Sequence, residues 1–254
     1  MKRLHPQPVV SGTGPSRLLI IHGWYGDHRV FDGLVAALDP ERFTIARFDI
    51  RGYGQSHYLP GPFDLQQVAT DALRIADQLG WKKFAVVGHS MGGKAAQRLA
   101  IGHPERISAL AGITPVPATP LGFDAETASF FAQAAEDDGV AQSIVAHSAG
   151  SRRDARWVAA LVADTRRTAT TKAFAGYCRS FVEDDLSAGA AALELPVLIL
   201  FGEEDRGVDH QILAPVYREL YPHAAIEVIP ATGHYPMVDD AGDLARRLAG
   251  FVAS

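Results

Sequence analysis

The first setting in this chain that suggests chemistry is a serine between glycines at the end of an apolar run. Phe84–Val87 leads into Gly88-His89-Ser90-Met91-Gly92, a G-x-S-x-G pattern placed where a strand turns into a helix. So abrupt a turn strains the serine and crowds backbone on both sides, where glycine, lacking a β-carbon, fits. The Ser90 hydroxyl is then lifted clear of the sheet at a helix N-terminus. There the N–H of Met91 faces the same point and can stabilise an oxyanion.

A serine hydroxyl is a poor nucleophile until a base takes its proton, and the base needs a carboxylate to fix its tautomer. Two later segments supply both. Val197–Phe201 ends in Gly202-Glu203-Glu204-Asp205, and Ala225–Ile229 is followed by Gly233-His234-Tyr235-Pro236. The order serine, acid, histidine is that of a nucleophile elbow, and each group follows its own strand. His234 is read as the base and Asp205 as its orienter, with Glu203 and Glu204 as the alternative carboxylates. Near the start, Leu18–Ile21 runs into His22-Gly23-Trp24-Tyr25-Gly26. Gly23 lets this loop fold over the nucleophile, so that the Trp24 N–H serves as a second oxyanion donor and its indole as a pocket wall. Asp49 and Arg51, just past another strand, read as loop-organising residues.

The same elbow nearly fits a phosphate-binding loop, G-x-x-x-x-G-K-[ST], with Lys94 in the lysine position. Ala95 stands where that loop needs a hydroxyl, and the reading leaves the other segments without a role. Lys94 is then expected to be an ordinary solvated helix residue.

Stepping outward from these residues, strand-length apolar runs are read at Arg17–Ile21, Thr44–Phe48, Phe84–Val87, Ile107–Ile113, Val197–Phe201 and Ala225–Ile229. They alternate with helical periodicity, which predicts βαβ units and a doubly wound, mostly parallel α/β sheet. Asp64 caps a helix with Leu65, Val68, Ala69, Ala72, Ala76 and Leu79 on one face, closed by Gly80. A last helix is expected from about Asp239. The rhythm breaks between about 115 and 186, which are Ala-rich and helical without strand signals. Within one 1–254 domain this segment is expected to form a helical cap, since long connections are commonly functional. Its aromatics, Phe130, Phe131, Trp157, Phe174, Tyr177 and Phe181, suggest a moderately apolar substrate. Phe130, Trp157, Phe174 and Tyr177 are taken as pocket residues together with Trp24.

Composition bounds the rest. The 254 residues are 47% hydrophobic and 21% charged, with a formal net charge of −5, ordinary globular values that give no basis for a phosphate-backbone partner. Cys178 is the only cysteine, so no internal disulfide forms. The first ten residues lack the apolar run of a signal peptide, and no apolar stretch is long enough to span a bilayer. A cytoplasmic location with no membrane partner is expected. No metal-ligand spacing and no dinucleotide fingerprint appears, so neither metal nor cofactor is expected.

HGWYG, DIRGYGQS, GHSMGG and the GEED…GHYP pair, in this order, resemble the α/β-hydrolase superfamily over nearly the whole chain. GHSMGGKA and the short chain look like the small bacterial esterases, lactonases and cofactor-free haloperoxidases. The resemblance implies a Ser90–Asp205–His234 triad, the Trp24 and Met91 amides as oxyanion hole, and a cap over 115–186. It implies hydrolysis of a carboxylic ester or lactone. Relatives use the same triad for C–C bond hydrolysis, cyanohydrin cleavage, perhydrolysis or cofactor-free oxygenation, or as a slow ligand sensor. So few residues precede the Arg17 strand that the family's opening hairpin must be curtailed. Serine at position 90 argues against the dehalogenases and epoxide hydrolases, which carry aspartate there.

Overall fold

The computed structural model describes residues 4–252. Seven strands form one sheet in the order β1-β3-β2-β4-β5-β6-β7. They are β1 (Val9–Ser11), β2 (Ser16–Ile21), β3 (Phe43–Phe48), β4 (Phe84–His89), β5 (Ile107–Ile113), β6 (Val197–Gly202) and β7 (Ala225–Ile229). All neighbours run parallel except β1, which pairs antiparallel with β3. Continuous apolar runs suit strands buried on both faces, and every residue of β4 and β6 is buried. β1 is three residues long and joined only to β3 among the described residues.

Helices cover both faces: α1 (Asp32–Ala37), α2 (Leu65–Gln78) and α3 (Met91–Gly102) come early, and α9 (His210–Leu220), α10 (Pro236–Asp239) and α11 (Ala241–Val252) late. Asp64 caps α2 by accepting the Gln67 N–H, and Gly80 closes it at φ 68°. The last helix starts two residues later than expected, because the single turn of α10 intervenes. Between β5 and β6 lie only helices: α4 (Ala125–Gln133), α5 (Asp138–Ala149), α6 (Ala155–Thr168), α7 (Thr171–Glu183) and α8 (Ser187–Ala190). Helical structure thus runs four residues past the expected boundary at 186.

From β2 the chain moves outward to β3, then returns to β4 on the other side of β2. The order reverses between β2 and β4, and in open parallel sheets a crevice forms beyond the carboxyl ends of strands at such a point. The Gly23–Trp24 loop and the Ser90 turn both emerge there.

Candidate active site

Ser90 closes β4 and precedes the first residue of α3, with φ 54° and ψ −122°. This is a region that non-glycine residues occupy only when surrounding structure forces them. The forcing is visible on both sides. A β-carbon on Gly88 would lie 2.1 Å from the Gly92 carbonyl oxygen, and one on Gly92 would lie 2.3 Å from that of His22. Backbone ties complete the turn: the Ser90 N–H donates to Ile113 O, and the Ser90 carbonyl accepts from Gly93 N and Val116 N. Met91 is the first residue of α3, where a backbone N–H has no acceptor one turn back.

The second expected oxyanion donor depends on a residue that the sequence reading did not single out. The buried His22 accepts the Ile50 N–H at Nε2 and donates from Nδ1 to the Gly23 carbonyl, 2.8 Å away. Burial holds its imidazole below the usual histidine range, against the pull of Asp49. The Gly23 carbonyl and the Trp24 N–H belong to one planar trans peptide and point in opposite directions. Pinning the carbonyl therefore aims the N–H.

His234 is fixed at nearly every polar atom. Its Nδ1 lies 2.6 Å from Asp205 Oδ2, and the Asp205 side chain is fully buried. The other carboxylate oxygen accepts the N–H groups of Gly207 and Val208, each at 2.9 Å. The His234 backbone N–H donates to Ser148 O, while the His234 carbonyl accepts from His89 Nε2 at 2.8 Å and Thr114 Oγ1 at 3.0 Å. Nε2 makes no hydrogen bond among the described residues, nor does Ser90 Oγ, though both side chains face one cavity. In unliganded enzymes this bond often tightens only with substrate. The alternative carboxylates are engaged elsewhere: Glu203 with the Ala231 N–H, Glu204 with Ser151 and Arg152.

The cavity holds about 550 Å³ and is lined mainly by apolar groups, among them Trp24, Leu121, Phe130, Phe131, Phe181 and Val208. Three of the expected pocket residues lie outside this lining. Phe174 is buried behind Trp24, stacked on the indole at 4.2 Å and accepting its Nε1–H. Tyr177 is fully buried with its hydroxyl on Arg51 O. Trp157 packs against Tyr235 at 5.1 Å. Helical periodicity marks a buried aromatic but not which of two internal surfaces it meets.

Residues 16–241 match the family model for the α/β hydrolase fold. The chain belongs to the α/β-hydrolase fold family. It is 27% identical over 246 residues to the pimeloyl-[acyl-carrier protein] methyl ester esterase of Yersinia enterocolitica, covering 90% of each chain. It is 37% identical over 107 residues to the dihydrolipoyllysine-residue acetyltransferase component of the acetoin cleaving system of Cupriavidus necator. That match spans 41% of this chain and only 28% of the relative. Among solved structures it resembles the bromoperoxidase from Bacillus anthracis, with a TM-score of 0.87 at 20% identity, covering 97% of this chain and 95% of that one.

Several residues of this α/β-hydrolase sit differently from, or outside, the sequence reading. Lys94 is not solvated. Its side chain is buried in α3, and Nζ donates to the carbonyls of Thr119 and Phe181. Burial, opposed by Asp184 and Asp185, brings its ammonium down to about 8. His89 is buried against the His234 ring at a centroid distance of 4.9 Å. Burial, with His234 adding in the same direction, holds it well below the usual range and hence neutral. Asp49 organises its loop by accepting from His28 and Gln55, and Arg51 pairs with the buried Asp71. Asp27, His28 and Asp49 cluster closely enough to hold a cation, but Arg29 already occupies both Asp27 oxygens. No helix among the described residues is long and apolar enough to cross a membrane.

Proposed function

We propose that this α/β-hydrolase cleaves a carboxylic ester or lactone of a small to medium, moderately apolar substrate through a covalent acyl-enzyme. The observation that carries the reading is the 2.6 Å contact between Asp205 and His234, placed beside the same cavity as the strained Ser90. Asp205 holds the proton on Nδ1, leaving the lone pair of Nε2 as the base. Ser90 Oγ attacks the carbonyl carbon while Nε2 takes its proton, and the carbonyl oxygen becomes an oxyanion facing the Trp24 and Met91 N–H groups. Collapse breaks the bond to the alkoxy oxygen, which receives the proton from Nε2. Water, deprotonated by the same nitrogen, attacks the acyl-enzyme and releases the acid together with Ser90. The apolar lining suits an aliphatic or aromatic acyl group, and the esterase named among the full-length relatives acts on an ester. The segment between β5 and β6 supplies Leu121 from a loop and Phe130, Phe131, Ile144 and Phe181 from helices to this lining, and serves as the cap that selects the substrate.

The test is steady turnover of a panel of esters, lactones, thioesters and 1,3-diketones by the wild type and Ser90→Ala. Ester or lactone cleavage that vanishes in Ser90→Ala is expected. Cleavage of 1,3-diketones alone would move the function to C–C bond hydrolysis, and a stoichiometric burst without turnover would make the protein a sensor.

A further inference from the structure

The loops carrying His234 and Asp205 are gripped from the inserted helices, at the joint between α5 and α6. Ser148 at the end of α5 accepts the His234 N–H. Gly150, at φ 62°, packs so closely that a β-carbon there would lie 2.4 Å from the Glu204 carbonyl oxygen. Ser151 hydrogen-bonds the Glu204 carboxylate, and Arg152 lies 3.8 Å from it. The next residue, Arg153, places NH2 2.5 Å from Asp239 Oδ1. The Asp239 side chain is 2% exposed, and its second oxygen accepts the N–H of Gly233, the residue before His234, at 2.8 Å. Over the same guanidinium lies the Trp157 ring at 5.2 Å, which in turn packs on Tyr235, the residue after His234.

We propose that Arg153 is a positioning residue for His234, acting through Asp239 and the Gly233 N–H. The inference rests on the reading of His234 as the base. A carboxylate so little exposed needs partners to offset its lost hydration and hold its orientation. Arg153 supplies such a partner from the inserted segment through one contact, NH2 to Oδ1, with the Trp157 ring over its guanidinium. With the imidazole already tied to Asp205, a shift of the Gly233–His234 backbone moves Nε2 relative to Ser90. The same α5 that carries Ser148 near its end also presents Ile144 and His147 to the cavity.

The experiment compares wild type, Arg153→Met and Arg153→Lys, using p-nitrophenyl acetate turnover, melting temperature and the far-downfield proton that His234 Nδ1 shares with Asp205, observed by NMR. Misplacing a reacting group by about 1 Å costs on the order of 100-fold. Arg153→Met should therefore lower kcat by about 10–100-fold, with KM within about twofold, and shift or broaden the downfield proton in folded protein. Arg153→Lys, which keeps the charge on a shorter side chain without the planar head, should fall between the two and carries the test if the methionine variant does not fold. A kcat within about twofold of wild type overturns the proposal. So does a kcat that falls only with the folded fraction while the downfield proton stays unmoved. If the wild type cleaves no ester and resists fluorophosphonate, the catalytic reading fails instead. The response of the downfield proton to Arg153 then still decides whether this side chain places His234.

Discussion

The proposed nucleophile and the proposed base are held in opposite ways. Ser90 is placed by its immediate neighbours: β4 in the middle of the sheet, two glycines that admit the turn, and the first turn of α3. His234 sits beyond β7 at the sheet edge and is held from elsewhere, by Asp205, His89, Thr114 and the Ser148 carbonyl of the inserted helices. A site whose strain is local is written in a short stretch of sequence. One assembled from distant partners depends on several elements docking together, and is open to tuning from any of them.

The largest expected effect lies on the local side. Ser90→Ala should fold normally and lose about 10⁴–10⁶-fold in ester turnover, with no fluorophosphonate labelling. Labelling at another serine would break the comparison at its first member. On the assembled side, Asp205→Asn should cost up to about 10⁴-fold by favouring the wrong imidazole tautomer. A near-silent Asp205→Asn beside a crippling Glu203→Gln or Glu204→Gln would reassign the acid.

Two aromatics of the inserted helices separate packing from selection. Phe174→Ala, emptying a fully buried site behind Trp24, should destabilise by about 3–5 kcal/mol, seen as a lower melting temperature and similar losses for all substrates. Phe131→Ala, in the cavity wall, should change discrimination between long and short acyl chains by about 1–3 kcal/mol and leave acetate esters nearly untouched. Trp157→Ala, on Tyr235 and outside the wall, should leave that ranking unchanged. A reversal of the Phe131 and Trp157 outcomes would show that a different surface binds the substrate.

The smallest effect comes from Lys94, which ties α3 to both ends of the inserted segment through Thr119 and Phe181. Its folded pKa of about 8 lies below the ordinary 10.5, so between those values the unfolded chain binds the extra proton. Stability of the wild type relative to Lys94→Met should accordingly rise with pH over that window, by at most about 1.4 kcal/mol per unit. Denaturant titrations at several pH values measure it. A difference that is flat or falls with pH would place Lys94 in water, as its sequence setting suggests.

Much of the sheet was legible because buried parallel strands are largely apolar, as β6 is throughout and β2, β3, β4 and β5 are for most of their length. The edge strand β7, by contrast, carries Glu227 and is only partly buried. β1 went unread because three residues at an edge need little more than backbone pairing. The elbow was legible because glycine is demanded at fixed offsets from the strained serine. Histidines 22 and 89 gave no comparable signal, since their roles rest on the Ile50 N–H and the His234 carbonyl, which only the folded loops bring within reach.

By itself, the sequence determined the α/β layering, the order of Ser90, Asp205 and His234 along the chain, and a helical segment between β5 and β6. Those features follow from periodicity and from local steric demands, which act over a few residues. The tertiary structure decided which carboxylate reaches the imidazole, which aromatics face the cavity, that Lys94 is buried, and that Arg153 reaches Asp239 across the domain. Each of these is a contact between residues tens of positions apart. Many chain paths share the same local pattern, and only the packed arrangement of helices on the sheet selects among them.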